Sequence, residues 1–244
     1  LRAASRAADV VSGNISNAMT PGFARRDIVL APLTLGGDGA GVQVTGVTRA
    51  EDPFTIAERR LAEAAYAQAD VSRQGLAAIE AALGTPDDPA SLSARAAAFE
   101  ASLLEAASRP DATERLRLAV TAAERLAESF NEVGRDIQSL RGQADADIGR
   151  MVDRLNTTLA QVDRLNDEIV RAFGSPGRAN SLIEERQRLI DGISDTVPLR
   201  QLPRDNGSVA LVSTAGMVLL DGKPRPIEFD PVGTAEPWMS LAGG

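Results

Sequence analysis

The residues best suited to chemistry in this 244-residue chain are carboxylates. Asp87 stands beside Asp88, Asp145 is close to Asp147, and Glu184 adjoins Glu185. Two acids held together do general acid–base work when their surroundings push their pKa values apart. They hold a divalent cation when more oxygen ligands converge on them. The sequence around these pairs prepares neither condition. No loop has the ligand spacing of a calcium site, and paired acids near turns and helix starts ordinarily cap backbone N–H groups or face solvent. The chain has no cysteine and no histidine. Thiolate nucleophiles, disulfides and the common zinc cages are thereby excluded, as is the usual general base near neutral pH. Gly36-Gly37-Asp38-Gly39 lacks the Gly-Lys-Ser/Thr ending of a phosphate loop and reads as a turn. The expectation is a protein without catalysis, cofactor, metal or small-molecule substrate.

Bulk composition points the same way. The net charge is −8, which repels phosphate backbones and argues against nucleic acid as a partner. Aromatic residues make up only 3% of the chain although 43% is hydrophobic. Alanine, the best helix former, fills much of that apolar share, so long thin helices are favoured over a thick core. No run approaches the roughly 18–20 apolar residues of a membrane span. The chain starts at Leu1 without an apolar leader and stops at Gly244. It reads as an internal piece of a longer protein.

The elements that would position functional residues can be read from periodicity. Ala4, Ala7, Ala8, Val11 and Ile15 recur at helical spacing, predicting a helix over 1–18. Thr20-Pro21-Gly22 ends it, because proline removes a donor and biases its predecessor away from the helical region. Residues 27–35 and 41–48 read as a short β excursion. A helix then runs from Pro53 to Leu83, stopped at Gly84, and a shorter one carries Leu92, Phe99 and Leu103 up to Pro110. Asp111 with Glu114 forms a capping-box signature for the next helix.

That helix carries the longest signal. Leu126, Phe130, Val133, Ile137, Leu140, Ala144, Ile148, Met151, Leu155, Leu159, Val162, Leu165, Ile169 and Phe173 form one apolar stripe, a heptad seam with stutters. Unbroken, the helix is about 90 Å long; Gly142 marks a place for a break. The stripe suits an intramolecular bundle, completed by a segment outside this sequence, or a seam that recruits another chain. Gly174-Ser175-Pro176-Gly177 reads as a turn, and Ser181 with Glu184 as a capping box for a helix to Ile190 or Ile193. Residues 197–202, 209–212 and 217–220 read as strands, with a hairpin turn at Asp205-Asn206-Gly207-Ser208. The expected fold is mainly α with a β segment (α+β), an elongated long-helix bundle followed by the start of a β-rich outer domain. Its divisions are 1–50, an axial helix with its stop and β excursion; 51–195, the long-helix bundle; and 196–244, the beginning of the outer domain.

The segment Asn14-Ile15-Ser16-Asn17-Ala18-Met19-Thr20-Pro21-Gly22-Phe23 resembles the Asn-Ile-Ala-Asn-Ala-Asn-Thr-Pro-Gly-Tyr signature of the bacterial flagellar axial protein family. Asn14, Ile15, Asn17, Ala18, Thr20, Pro21 and Gly22 match; Met19 replaces an asparagine and Phe23 a tyrosine. Rod and hook subunits of that family pass from the signature into β-rich sequence. Here about 140 residues of helical pattern follow, which is similar to the junction members between hook and filament. Ser181 to Leu189 and the Leu155-Asn156 and Leu165-Asn166 repeats fit that likeness. The resemblance implies a secreted structural subunit, exported by the flagellar type III apparatus. It further implies a ring of copies at the distal end of the hook, contacts with hook protein and with a second junction protein on the filament side, and a cytoplasmic export chaperone. Residues 1–18 would form half of an axial coiled coil. Asn14, Ile15, Asn17, Thr20, Pro21, Gly22 and Phe23 would be the assembly motif, giving the chain a fixed exit direction. A rod or hook subunit, or a cytosolic coiled-coil scaffold, are the competing readings; the latter accounts for the long stripe but not for the Thr-Pro-Gly stop or the β tail.

Overall fold

The computed structural model describes residues 2–20, 23–35, 38–172 and 176–233. Their elements run α1 Arg2–Ser16, β1 Arg26–Leu35, β2 Asp38–Arg49, α2 Pro53–Leu83, α3 Leu92–Ser108, α4 Thr113–Arg171, α5 Pro176–Asp191, β3 Leu199–Pro203, β4 Val209–Ser213, β5 Val218–Asp221 and β6 Lys223–Pro224. The fold is mainly α with antiparallel β segments. It divides into two compact units, Leu1–Gln68 with Met151–Glu228 and Ala69–Arg150 with Phe229–Gly244.

The first unit holds the core. Leu155, Leu159 and Val162 of α4 pack with Ile190 of α5, with Ile193 just after it, and with Leu199, Val209, Leu211, Leu219 and Leu220 of the sheet β3–β4–β5–β6. Each such side chain stabilises the fold by roughly 1.5–3 kcal/mol on burial. The sheet therefore closes this core against α4 and α5. Its β3–β4 hairpin turns at Asp205-Asn206-Gly207-Ser208 as the sequence predicts: Gly207 takes φ +84°, and the Asn206 carboxamide oxygen accepts from the Ser208 N–H. Two asparagines stitch α4 to the chain beyond. Asn156 donates to the Ile227 carbonyl at 2.8 Å and accepts from the Ile227 N–H at 2.9 Å. Asn166 donates to the Val209 carbonyl at 2.9 Å and accepts from the Val209 N–H at 3.1 Å. Arg186 then donates to Asn166 Oδ1 and to the Gly207 carbonyl, completing a buried polar group.

In the second unit, α2 ends at Gly84, whose φ of +75° favours a residue without Cβ. An added Cβ would lie 2.8 Å from the Ser91 backbone. Ser91 caps α3, its hydroxyl accepting from the Ala94 N–H. Arg109, before Pro110, is extended at φ −146° and stops α3, as pre-proline sterics require. Arg115 ties the end of α3 to α4 by donating to Ser108 Oγ and the Glu105 carbonyl. The interior here is built from small residues such as Ala106 and Ala119, while Leu76, Leu104 and Leu118 stay exposed.

Two helix starts differ from the sequence reading. Helix α4 begins at Thr113, and the Ala112 carbonyl accepts the first bonds from Arg115 and Leu116, so the Asp111 cap is displaced by a residue. Helix α5 begins at Pro176, placing Ser181 inside it. Proline suits the first helical turn because no N–H is required there. Gly174, Ser175 and Phe173 lie outside the described residues. Helix α4 runs through Gly142 without a break.

Candidate assembly site

Helix α1 has two unlike faces. Ala3, Ala7, Val10 and Asn14 are half-buried, while Ala4, Ala8, Val11 and Ile15 are exposed, and the helix buries no residue fully. The exposed four, spaced by four, three and four, form an apolar stripe on one side. Ile15 is 72% exposed.

The end of α1 is fastened at several points. Asn17 donates to the Gly13 carbonyl, and Thr20 Oγ1 donates to Asn17 Oδ1. The Phe23 N–H donates to the Thr20 carbonyl at 3.1 Å. Asn14 then reaches across twelve positions. Its carboxamide accepts from the Arg26 N–H and donates to the Arg26 carbonyl, both at 2.8 Å. Asn14 thus occupies the place of a neighbouring strand along β1 and sets the direction in which the chain leaves the helix. The Arg26 guanidinium lies over the Phe23 ring, 5.3 Å from its centroid.

The β1–β2 hairpin is held in turn by charge. Arg26 and Arg49 sit directly opposite each other in the antiparallel register. Like charges in that relation repel. Glu184 of α5 relieves them: both its oxygens lie 3.1 Å from Arg26 Nη2, and Oε1 lies 3.8 Å from Arg49 Nε. Asn180 donates to the Val47 carbonyl beside them. Next to this knot, Asp191 binds Arg60 Nε at 2.7 Å and Arg59 Nη2 at 2.9 Å, and Arg60 also donates to Gln201. Burial lowers the Arg186 pKa to about 10; the Glu51 charge opposes that shift and the Arg49 charge adds to it.

Each expected residue can now be placed. Asn14 and Asn17 are half-buried and bonded, Ile15 is exposed, the Thr20 carbonyl accepts from the Phe23 N–H, and Phe23 stacks on Arg26. Pro21 and Gly22 lie outside the described residues. In the α4 seam, Leu155, Leu159, Val162 and Ile169 are buried. Leu126, Val133, Ile137 and Leu140 are half-buried, and Phe130 and Ile148 are exposed. Sequence reasoning missed Arg26, Arg49, Arg60 and Asp191. It also took Glu184 for a cap. The available signal was arginine at both ends of a predicted hairpin, which demands an acid from elsewhere.

A family model described as the flagellar hook-associated protein FlgK helical domain matches residues 76–231. The chain belongs to the FlgK family. Among its relatives, flagellar hook-associated protein 1 of Salmonella typhimurium is 27% identical over 257 residues, covering 100% of this chain and 46% of the relative. The protein of the same name from Bacillus subtilis is 26% identical over 233 residues, covering 91% and 46%. The chain thus spans about half the length of the curated relatives it matches. The solved flagellar hook junction protein FlgK from Burkholderia pseudomallei superposes with a TM-score of 0.61 at 17% identity, over 68% of this chain and 29% of that one. That likeness places the α+β arrangement within the FlgK fold.

Proposed function

We propose that this chain is the helical part of a hook–filament junction subunit of the bacterial flagellum. It works outside the cell by packing against hook and filament components, without catalysis. The observation that carries the reading is α1: an apolar stripe left exposed on a helix whose exit is fastened by Asn14 to Arg26. An isolated helix of this length is marginal in water, and an exposed stripe of this kind suits a partner helix. In this reading copies of the chain form a ring at the distal hook end, meet hook protein on one side and a second junction protein on the other, and leave the cytoplasm with an export chaperone. Ile15 and the Asn14-to-Phe23 motif serve the axial contacts, and the α4 seam supplies the rigid rod.

The test is complementation of a strain lacking its own junction subunit, with the corresponding full-length gene, followed by electron microscopy. Unaltered protein should restore filaments on hooks. Ile15→Asp and Gly22→Val should leave bare hooks while the purified variants keep their cooperative melting. Filaments restored fully by Ile15→Asp would show that the exposed stripe is not an assembly surface.

A further inference from the structure

The described residues from 2 to 50 form an arm on the first unit. Asn14 fixes α1 to the Arg26 peptide, and β1 pairs with β2 from Arg26 to Leu35, so helix and hairpin are bound to each other. The arm is bound to the rest far more lightly. None of its apolar side chains joins the core around α4, α5 and the sheet, among the described residues. The hydrogen bonds and ion pairs that cross to α5 are made there by Glu184, with Arg26 and Arg49, and by Asn180, with the Val47 carbonyl, among the described residues. Open space flanks this contact. A cleft of about 490 Å³ lies between Phe23 and Ala24 of the arm and Ile56 and Arg188. Another, of about 190 Å³, lies between Val10 and Gly13 of α1 and Asn180 of α5.

The backbone crosses from arm to α2 through one residue. The Ala50 N–H donates to the Arg25 carbonyl at 2.8 Å, which places Ala50 in the arm. Asp52 accepts from the Phe54 N–H and the Thr55 hydroxyl, which places it with α2. Glu51, between them, is exposed and lies in neither helix nor strand. The charges at the contact also have company on the arm's own side. Arg49 Nη1 lies 3.1 Å from Glu51 Oε2, and the Arg26 guanidinium lies over the Phe23 ring. Parting from Glu184 therefore strands neither cation, and a stranded charge is what makes breaking a shielded ion pair costly.

We propose that the arm pivots at Glu51 and that Glu184 is the clasp that holds it in one direction. A hinge needs only a few residues to absorb the change in φ and ψ. With little apolar area at the contact, the hydrophobic effect contributes little to closure, and the polar ties can be exchanged for water. Opening turns the exposed stripe of α1 to a new angle while Asn14 keeps the helix joined to the hairpin. The pivot is a property of the single chain and does not rest on the junction reading.

The test uses paired spin labels, which suit a chain without native cysteine. Ser12→Cys on α1 with Asp153→Cys on α4 reports the arm against the body. Ser12→Cys with Gln43→Cys on β2 reports distances within the arm. All three positions are exposed. By double electron–electron resonance, each pair in the 244-residue chain should give one narrow distance. Glu184→Gln should broaden the arm-to-body distribution about twofold and leave the within-arm distribution unchanged. Rare strand opening, which hydrogen exchange detects, does not alter that second width. Asn180→Ala, which removes the other tie and keeps every charge, should broaden the arm-to-body distance less. An arm-to-body distance that stays narrow in Glu184→Gln would show that the arm is held elsewhere. A broad one in the unaltered chain would show that no clasp holds it, and broadening of both distances together would show an arm that melts instead of pivoting. Any of these three results would overturn the proposal.

Discussion

A carboxamide is the smallest side chain that can answer both halves of a peptide group at once, offering a donor and an acceptor side by side. Asn14, Asn156 and Asn166 each do so, toward Arg26, Ile227 and Val209. Asn166 matters most to stability because its partners are buried and it also accepts from Arg186. Asn166→Ala leaves the Val209 N–H and carbonyl and one Arg186 donor unanswered. At about 1–3 kcal/mol for each such group, stability should fall by about 3 kcal/mol or more in urea titration. Asn166→Asp keeps both accepted bonds and should cost less. Gly84 is a second sensitive position: Gly84→Ala places a Cβ against Ser91 in a left-handed backbone and should destabilise by about 1–3 kcal/mol. Asp52 supplies a pH signature. Hydrogen bonds from the Thr55 hydroxyl and then the Phe54 N–H hold its pKa below the ordinary value. The stabilisation is therefore complete above the unfolded pKa of about 3.9 and is lost as pH falls through the depressed folded value. Urea midpoints measured downward from pH 5 should decline less steeply in Asp52→Asn than in the unaltered chain.

At the level of elements, the β1–β2 hairpin is the part most dependent on its fastenings. A lone two-stranded hairpin is marginally stable in water, and this one is irregular as well, with register shifts at Val29/Leu30 and Pro32/Thr34. It rests on α1 through Asn14 and on α5 through Glu184. Glu184→Gln removes the charge between Arg26 and Arg49 and leaves two facing cations. Hydrogen exchange should then show the amides of β1 and β2 losing protection while those of β4 keep theirs; equal loss in both would mean that the hairpin and the core open together. The sequence revealed much of this layer and not its ties. The limits of α2 and the β3–β4 hairpin were legible because glycine, proline and Asn206-Gly207 punctuate the chain locally. The start of α5 was not. Ser181 and Glu184 have the spacing of a capping box, but the Glu184 carboxylate is engaged by an arginine 158 positions away, and local spacing carries no trace of such a partner.

For the molecule as a whole, the seam of α4 serves two environments. The seam residues of its later part, from Leu155 to Ile169, are buried, with Leu155, Leu159 and Val162 packed against the sheet, whereas Phe130 remains 57% exposed. Periodicity showed the stripe but not where it is covered, since a 3.5-residue repeat looks alike whether its cover is a sheet, a helix or another chain. The same reasoning applies to α1. Its exposed stripe contributes little to the fold of the monomer, so Ile15→Asp should leave the urea midpoint nearly unchanged, within about 0.5 kcal/mol of stability, while abolishing filament attachment in the complementation assay. The asparagine ties also set a limit on chemical ageing. Hydrolysis of a carboxamide yields a carboxylate, which can accept but no longer donate. Such damage at Asn14 would turn one half of its grip on the Arg26 peptide into a repulsion between oxygens, releasing the direction of α1 while the core stays whole. Old preparations would then melt normally and yet fail to assemble.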